Sequence, residues 1–166
     1  MTLQQTDPRR KIREFTDLKA WGEAYKLALL TYQITKKFPK GEIYSLIDQM
    51  RRAAVSISSN IAEGFGRQTY KEKVQFYYQA QGSLIELKNQ FLIAKGVGYL
   101  SESDFQLLST QANIAHQLLQ GLIQKSKSFI IRKPGSARYM KQDSRITNRN
   151  NNTNKNMPVP FINHKS

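Results

Sequence analysis

The chain contains no cysteine and only two histidines, His116 and His164, in 166 residues. The lack of cysteine excludes disulfides, thiolate zinc sites and cysteine nucleophiles. Two histidines that lie far apart in sequence offer little for a metal centre or a catalytic triad. No glutamate has a histidine three residues later, as the di-iron motif of ferritin-like bundles requires. We therefore expect no metal, no cofactor and no enzymatic activity.

Long apolar runs are also missing. Residues 1–15 are polar and basic, unlike a secretory signal, and no run of about 18 apolar residues could form a transmembrane helix. Apolar residues still make up 39% of the chain, which is enough for a core. The mean hydropathy of −0.58 indicates that part of the chain is poorly buried. These features predict a soluble, cytoplasmic protein without a membrane partner.

Acidic residues are scarce. The chain has 12 Asp and Glu and 26 Lys and Arg, which gives a formal net charge of +14. The excess is uneven: residues 130–166 carry eight basic residues and one acid, Asp143. That segment lacks apolar periodicity and is rich in asparagine, which is typical of disorder. We predict a basic arm over residues 1–15, a folded body over 16–129 and a disordered basic tail over 130–166.

Apolar residues of the body recur at intervals of three and four in four segments, which is typical of amphipathic helices. The predicted core stripes are Leu18, Trp21, Tyr25, Ala28 and Tyr32; Ile43, Ile47, Met50, Ala54, Ile57 and Ile61; Tyr77, Ala80, Leu84, Leu87, Phe91 and Ala94; and Phe105, Leu108, Ala112, Ala115, Leu119 and Leu122. No segment shows the convincing period of two that marks a strand. Short connections favour antiparallel neighbours, so we predict an all-α, up-down-up-down four-helix bundle.

Caps and breakers separate the four predicted helices. Thr16-Asp17 can cap the first helix, and Phe38-Pro39-Lys40-Gly41 breaks it. Gly64-Phe65-Gly66 is expected to end the second helix because glycine readily adopts the left-handed backbone, and Gly96-Val97-Gly98 ends the third. Two segments with the form of capping boxes open the third and fourth helices, Thr69 to Glu72 and Ser101 to Asp104.

Apolar side chains outnumber the positions that one bundle core needs. The surplus residues are Phe76, Tyr78, Ile85 and Leu92 on the third helix and Leu107, Ile114 and Leu118 on the fourth. A run of small residues on the second helix would let another helix approach closely: Ala53, Ala54, Ser56, Ser58, Ser59 and Ala62. Two interpretations stay open, a wide core with aromatic packing, or an apolar face buried between the subunits of a symmetric oligomer.

The positive charge favours a nucleic-acid partner, because a basic protein gains affinity by releasing counterions from phosphates. Tyr70 and Tyr139 could stack on unpaired bases. Each basic residue alone could be a solvated surface group, and Arg51 and Arg52 could equally form salt bridges between subunits. The candidate phosphate contacts are Arg51 and Arg52 on the second helix, Arg67, Lys71 and Lys73 around the second turn, and Arg132, Lys133, Arg138, Lys141, Arg145 and Arg149 on the tail.

An ordered series of motifs resembles the four-helix-bundle family that is named for proteins encoded in 23S rRNA intervening sequences. The most recognisable stretch is Ser59-Asn60-Ile61-Ala62-Glu63-Gly64, and the resemblance covers about residues 15–127. The other motifs are Phe15–Trp21, Lys37–Pro39, Gln49–Ile57, Gly82–Leu87 and Gly98–Ser101.

The resemblance implies an up-down bundle that assembles as a barrel-shaped homopentamer, and it implies no enzymatic activity. The best-understood relatives are the accessory variability determinants of diversity-generating retroelements, in which a basic pentamer binds nucleic acid and a reverse transcriptase. Arg51 and Arg52 match the family's paired arginines, while Asn60, Glu63 and Gly64 match its signature. For that signature we expect a buried network of Asn60 and Glu63 that fixes helix register.

Two functional hypotheses follow from the sequence. The first is a non-enzymatic, basic, oligomeric scaffold that binds RNA or an RNA–DNA hybrid and holds a reverse transcriptase. The second is a protein-interaction bundle of the same family that has no role with nucleic acid and whose charge only aids solubility.

Overall fold

The computed structural model describes residues 11–42 and 45–131, and the predicted tail lies outside this part except for Ile130 and Ile131. Four α-helices, α1 to α4, run over Lys19–Thr35, Leu46–Gly66, Tyr70–Gly96 and Glu102–Ile131. Short 3-10 turns cover Phe15–Asp17, before α1, and Lys40–Glu42, between α1 and α2. The described residues contain no strand, which confirms the all-α prediction. The fourth helix extends slightly past its predicted boundary at residue 129, to Ile131.

Each helix contacts the next one along the chain, and α4 also contacts α1. Among the four described helices, no Cα atoms of the diagonal pairs α1–α3 and α2–α4 lie within 8 Å of each other. Short connections join all four, so they form an up-down-up-down bundle with a closed cycle of neighbours. The starts of α1 and α3 and the ends of α2 and α4 therefore lie at the same end of the bundle, which we call the terminal end.

The core lies between the four helices and follows the predicted stripes closely in α2, α3 and α4. Tyr77 and Phe91 on α3 are the largest buried side chains. The described members of the α2 and α3 stripes are buried, as are the four central members of the α4 stripe. Heptads of large aliphatic residues fix these faces because each step places the next apolar group over the same side of the helix.

The predicted stripe of α1 is wrong at its two tyrosines. Tyr25 and Tyr32 are 46% and 42% exposed, and Leu27, Thr31 and Ile34 fill the core in their place. The buried Thr31 is compatible with an apolar core because its hydroxyl donates to the carbonyl oxygen of Leu27 at 2.8 Å. The helix is thus rotated so that Tyr25 and Tyr32 face outward, while most of its aliphatic residues and two threonines face inward.

The second helix approaches the third closely, and Gly64 makes this contact possible. A Cβ built on Gly64 would lie 2.6 Å from Cε1 of Tyr77 and 3.0 Å from Cβ of Phe76. The helix ends at Gly66, within the predicted terminating segment Gly64–Gly66, but neither of these glycines adopts the expected left-handed backbone, and Gly64 lies inside α2. Its role is to leave space for the aromatic side chains of α3.

The ends of α3 follow the sequence signals. Thr69 Oγ1 accepts from the amide of Glu72 at 3.2 Å, and Glu72 Oε2 accepts from the amide of Thr69 at 3.1 Å, which confirms this capping box. Beyond the last turn, Gly98 has φ of +79° and the amide of Tyr99 donates to the carbonyl of Ala94 at 2.8 Å. This is the Schellman arrangement, and glycine allows its left-handed residue.

Of the other two predicted caps, the one at α4 is partly realised and the one at α1 is absent. Ser101 Oγ accepts from the amide of Asp104 at 3.1 Å, whereas Asp104 accepts from Lys37 Nζ at 3.0 Å and so ties the start of α4 to the end of α1. Thr16 and Asp17 do not cap α1. They lie in the preceding 3-10 turn, where Asp17 Oδ2 accepts from the amides of Arg13 and Glu14.

Candidate nucleic-acid interface

The terminal end of the bundle brings the turn between α2 and α3 next to the end of α4. Tyr70, the first residue of α3, stacks on Phe129 of α4 with ring centroids 4.6 Å apart and planes 23° apart. The 3-10 turn over Phe15–Asp17 precedes α1 at this end and contacts α1 and α2, and Ile131, the last residue of α4, lies at the same end. The basic sequences of the predicted arm and tail therefore both join the bundle at the terminal end.

Two of the predicted cations at this end also stabilise the fold. The Arg67 guanidinium is paired with Glu63 one turn earlier and lies over the ring of Phe76, 4.3 Å from its centroid. Lys73 Nζ donates to the carbonyl oxygen of Phe65, and burial lowers the pKa of this lysine against the opposing charge of Glu72. Both residues are half-buried, and the Arg67 side chain is 40% exposed and so remains accessible to a phosphate.

Lysines on the outer surface of the terminal end are open to solvent. Lys71 and Lys125 are exposed, and Lys127 Nζ lies 3.4 Å from the hydroxyl oxygen of Tyr78. Lys71 is among the phosphate contacts predicted from the sequence, whereas the two lysines of α4 are not. The signal that could have found them is the absence of any Asp or Glu between Asp104 and Asp143.

The predicted contacts Arg51 and Arg52 lie on the first half of α2, away from the terminal end. Arg51 Nε donates to Thr35 Oγ1 at 2.9 Å, and its guanidinium lies 4.9 Å from the centroid of the Tyr32 ring. Arg51 therefore joins α1 to α2. Arg52 is exposed and lies 3.4 Å from Asp48 in a pair one helical turn apart, which contributes little to stability. Their contact with phosphate stays a prediction.

The tail candidates lie outside the described residues. They are Arg132, Lys133, Arg138, Lys141, Arg145 and Arg149, together with Tyr139 as a stacking residue. Their roles stay predictions.

The signature residues Asn60, Glu63 and Gly64 have separate structural roles. Asn60 Nδ2 donates to the carbonyl oxygen and the hydroxyl of Ser56, and Ser56 Oγ lies 2.9 Å from Ser83 Oγ on α3. Glu63 is exposed and pairs with Arg67, so the expected buried network of Asn60 with Glu63 is wrong. A half-buried chain of Asn60, Ser56 and Ser83 links α2 to α3 in its place.

The small residues of α2 are used largely within the subunit. Ala53 and Ala54 are buried in the core, and Ser56 and Gly64 contact α3. The small-residue run therefore explains the close approach of α2 to its own neighbour, whereas Ser59 remains exposed.

The described residues show neither a metal site nor a membrane span. No group of three or more His, Asp or Glu side chains in residues 11–42 and 45–131 could hold a metal ion. No helix in the same part of the chain is long and apolar enough to cross a bilayer.

Residues 16–121 match the family model described as 23S rRNA-intervening sequence protein. The chain belongs to this family. The match to the 23S rRNA-intervening sequence family confirms the family resemblance that the signature around Asn60 indicates. No protein with a curated description matches the chain in sequence.

A solved structure supports the fold. It is that of a protein of unknown function from the S23 ribosomal protein family of Bacteroides thetaiotaomicron. The two chains are 15% identical, the match covers 63% of this chain and 97% of that chain, and the TM-score is 0.57. At this identity the likeness shows a shared helical fold.

Proposed function

We propose that this chain is a non-enzymatic, oligomeric scaffold that binds RNA or an RNA–DNA hybrid through its basic surfaces. The proposal rests on the net charge of +14 and on where that charge lies. Two basic terminal sequences join the bundle at the end that also presents Arg67 and Lys71. A polyanion is the partner that such a field attracts. Contacts to phosphates carry no sequence information, so binding is weakly dependent on base sequence.

Exposed apolar stripes support an assembly of several copies. Ile85 and Leu92 on α3 are 55% and 59% exposed, and Leu29 on α1 is 53% exposed between two exposed tyrosines. Contiguous apolar faces of this kind commonly mark protein interfaces. Two different faces on one subunit can meet head to tail and close a ring. The homopentamer that the family resemblance implies is the assembly we propose, and it multiplies weak phosphate contacts through avidity.

Within the family, we assign the scaffold to the accessory proteins of diversity-generating retroelements, which hold a reverse transcriptase on its template. The charge excess of this chain and its basic terminal sequences suit that role. The genomic test is direct: a reverse-transcriptase gene with paired repeats beside this gene supports the assignment. An intervening sequence of an rRNA gene in that place contradicts it.

A salt titration tests nucleic-acid binding. If about five phosphates are contacted, affinity for single-stranded RNA falls about a hundredfold between about 50 and about 200 mM monovalent salt. Fluorescence anisotropy with two RNAs of unrelated sequence should show the same steep fall for both. An affinity that stays flat over this range contradicts the proposal.

A matched pair of variants locates the contact. Replacing Lys125 and Lys127 by glutamine should reduce the salt slope, because these lysines lie at the terminal end. Replacing Lys36 and Lys40 by glutamine removes the same charge near the opposite end and should change the slope less. Equal slopes for the two variants contradict binding at the terminal end.

The second candidate function is a protein-interaction bundle, which the exposed apolar faces favour. It predicts no binding to RNA in dilute buffer together with stoichiometric capture of a protein partner by the full chain. The salt titration separates the two functions, because only the scaffold loses RNA affinity as salt rises.

A further inference from the structure

Three exposed aromatic rings and two lysines form one surface across α3 and α4 at the terminal end. We call it the aromatic–lysine surface, and it consists of Tyr70, Lys71, Tyr78, Lys127 and Phe129. The rings of Tyr70, Tyr78 and Phe129 are 41%, 47% and 37% exposed. So much exposed ring area on a charged helix pair needs a physical reason, because aromatic side chains stabilise a fold mainly when they are buried.

The arrangement of the rings follows from two contacts between the helices. Tyr70 stacks on Phe129 at 4.6 Å, which fixes the start of α3 against the end of α4. Eight residues later, Tyr78 meets Lys127 Nζ at 3.4 Å. The two tyrosines are about 12 Å apart along α3. Lys71 precedes Tyr78 by two helical turns, so both lie on the same face of α3.

The charge around these rings is positive. Between Glu72 and Glu86, α3 carries no acidic residue, and α4 carries none after Asp104. Glu72 is the nearest carboxylate in sequence, and it is bound to Thr69, which donates to it from both its amide and its hydroxyl. The surface therefore presents ammonium groups beside open aromatic rings, and Glu72, whose carboxylate is bound to Thr69, is the one acidic residue on these parts of α3 and α4.

We infer that the aromatic–lysine surface binds single-stranded nucleic acid by stacking unpaired bases on its tyrosine rings, while Lys71 and Lys127 contact the phosphates. Bases in a duplex stack on each other and offer only their edges in the grooves, so exposed rings gain nothing from a duplex. Unpaired bases have free faces, and every base can stack on an aromatic ring. Lysines beside the rings match the anionic backbone that connects such bases.

This inference rests on the proposed function and narrows it, because it selects single strands from the RNA and hybrid ligands proposed above. It assigns a discriminating role to Tyr70 and Tyr78, which charge alone does not. The basic residues attract any nucleic acid, and the rings distinguish an unpaired strand from a paired one.

A fluorescence experiment on the full chain tests the inference. The sequence has one tryptophan, Trp21, so a second one introduced by Tyr70→Trp reports on the aromatic–lysine surface against a constant background. The probe is an oligouridylate of about ten nucleotides, either free or annealed to oligoadenylate. The free strand should quench the added emission through stacking, and the duplex should not. Tyr25→Trp is the matched control, since Tyr25 is 46% exposed and stacks on Trp21 on α1, outside the aromatic–lysine surface.

Affinity provides a second readout that does not depend on the tryptophan variants. Tyr70→Ala should weaken binding of the free oligouridylate about tenfold and leave duplex binding nearly unchanged. Tyr25→Ala should leave the ratio of the two affinities as it is in the parent chain. Circular dichroism of each variant checks that the helices remain intact.

The outcomes separate this inference from the function on which it rests. Salt-dependent binding without selective quenching at position 70, or with equal quenching at position 25, overturns the stacking role and leaves the scaffold in place. Absence of binding to either probe overturns both. A shift of the Tyr70→Trp emission with protein concentration, before any nucleic acid is added, assigns the surface to a second copy of this chain and also overturns the inference.

Discussion

Single side chains decide how closely the helices of this bundle approach each other. Gly64 occupies a site where even one methyl group would collide with the ring of Tyr77. Burial raises the pKa of Tyr77 to about 12, consistent with a ring held in the core beneath α2. The hydroxyls of Ser56 and Ser83 meet further along the same pair of helices at 2.9 Å. The contact between α2 and α3 thus depends on the small size of Gly64, Ser56 and Ser83.

Gly64→Ala should destabilise the chain by about 1–3 kcal/mol, because the added methyl group forces Tyr77 out of its position. Gly82→Ala is the matched control, since Gly82 lies inside α3 with open space around its Cα and alanine favours a helix by roughly 0.5–1 kcal/mol. Chemical denaturation measures both changes. Equal stabilisation by the two substitutions would show that α2 and α3 are not tightly packed at Gly64.

The capping box of α3 should make stability depend on acid pH. Hydrogen bonds from the side chain and amide of Thr69 hold the pKa of Glu72 below its ordinary value of 4.5. A lowered folded-state pKa stabilises the chain above about pH 4.5, and this contribution is lost as pH falls through the folded-state value.

Glu72→Gln isolates this effect, because glutamine can still accept in the capping box but does not titrate. The difference in unfolding midpoint between the parent chain and the variant should be largest at neutral pH and shrink towards about pH 3. Glu23 and Glu102 also have lowered pKa values and remain in both proteins, so their contribution cancels. A difference that does not change with pH would contradict the role of the Glu72 charge.

The helices differ in how much of their packing the sequence reveals. The core faces of α2, α3 and α4 could be predicted because large aliphatic residues recur in heptads. The face of α1 could not, because Thr31 and Thr35 enter the core with their hydroxyls bonded to backbone carbonyls, while Tyr25 and Tyr32 face outward. The spacing of apolar residues places Tyr25 and Tyr32 in the core stripe and leaves out Thr31 and Thr35, since it cannot register a hydroxyl satisfied by its own helix.

The contacts of the candidate site could likewise be predicted from the sequence only in part. Cations could be located on helix ends from sequence, and the ring of Tyr70 was among the predicted stacking residues. The contacts of Arg51 and Lys73 within the fold could not be predicted. Thr35 becomes the partner of Arg51 only because α1 packs against α2, and the Phe65 carbonyl becomes the partner of Lys73 only because α2 ends beside it. The pairing of Tyr78 with Lys127 likewise arises between residues on different helices, far apart in sequence.

The second half of α3, beyond the aromatic–lysine surface, should carry a subunit interface on its outer face. Leu92→Lys places a charge on a side chain that is 59% exposed in the single chain, so the fold tolerates it while an apolar contact between copies does not. Size-exclusion chromatography with light scattering should show a loss of the oligomer. Gln79→Lys adds the same charge at an exposed polar position of α3 and should leave assembly unchanged. Assembly that survives Leu92→Lys would place the interface elsewhere.

At the scale of the whole molecule, the bundle combines apolar outer faces with a surplus of positive charge. One copy of 19.1 kDa already carries a net charge of +14, and several copies that bury their apolar faces would concentrate this charge on one particle. Self-repulsion then opposes assembly, and a bound polyanion relieves it. We therefore expect RNA to stabilise the assembly as well as to bind it.

Native mass spectrometry of the full chain, alone and with one single-stranded RNA, measures assembly and RNA binding together. We expect a particle whose mass is a multiple of 19.1 kDa, five subunits in the proposed assembly, and a second species heavier by the mass of bound RNA. A single subunit that acquires no RNA at low ionic strength would rule out an oligomeric scaffold for nucleic acid.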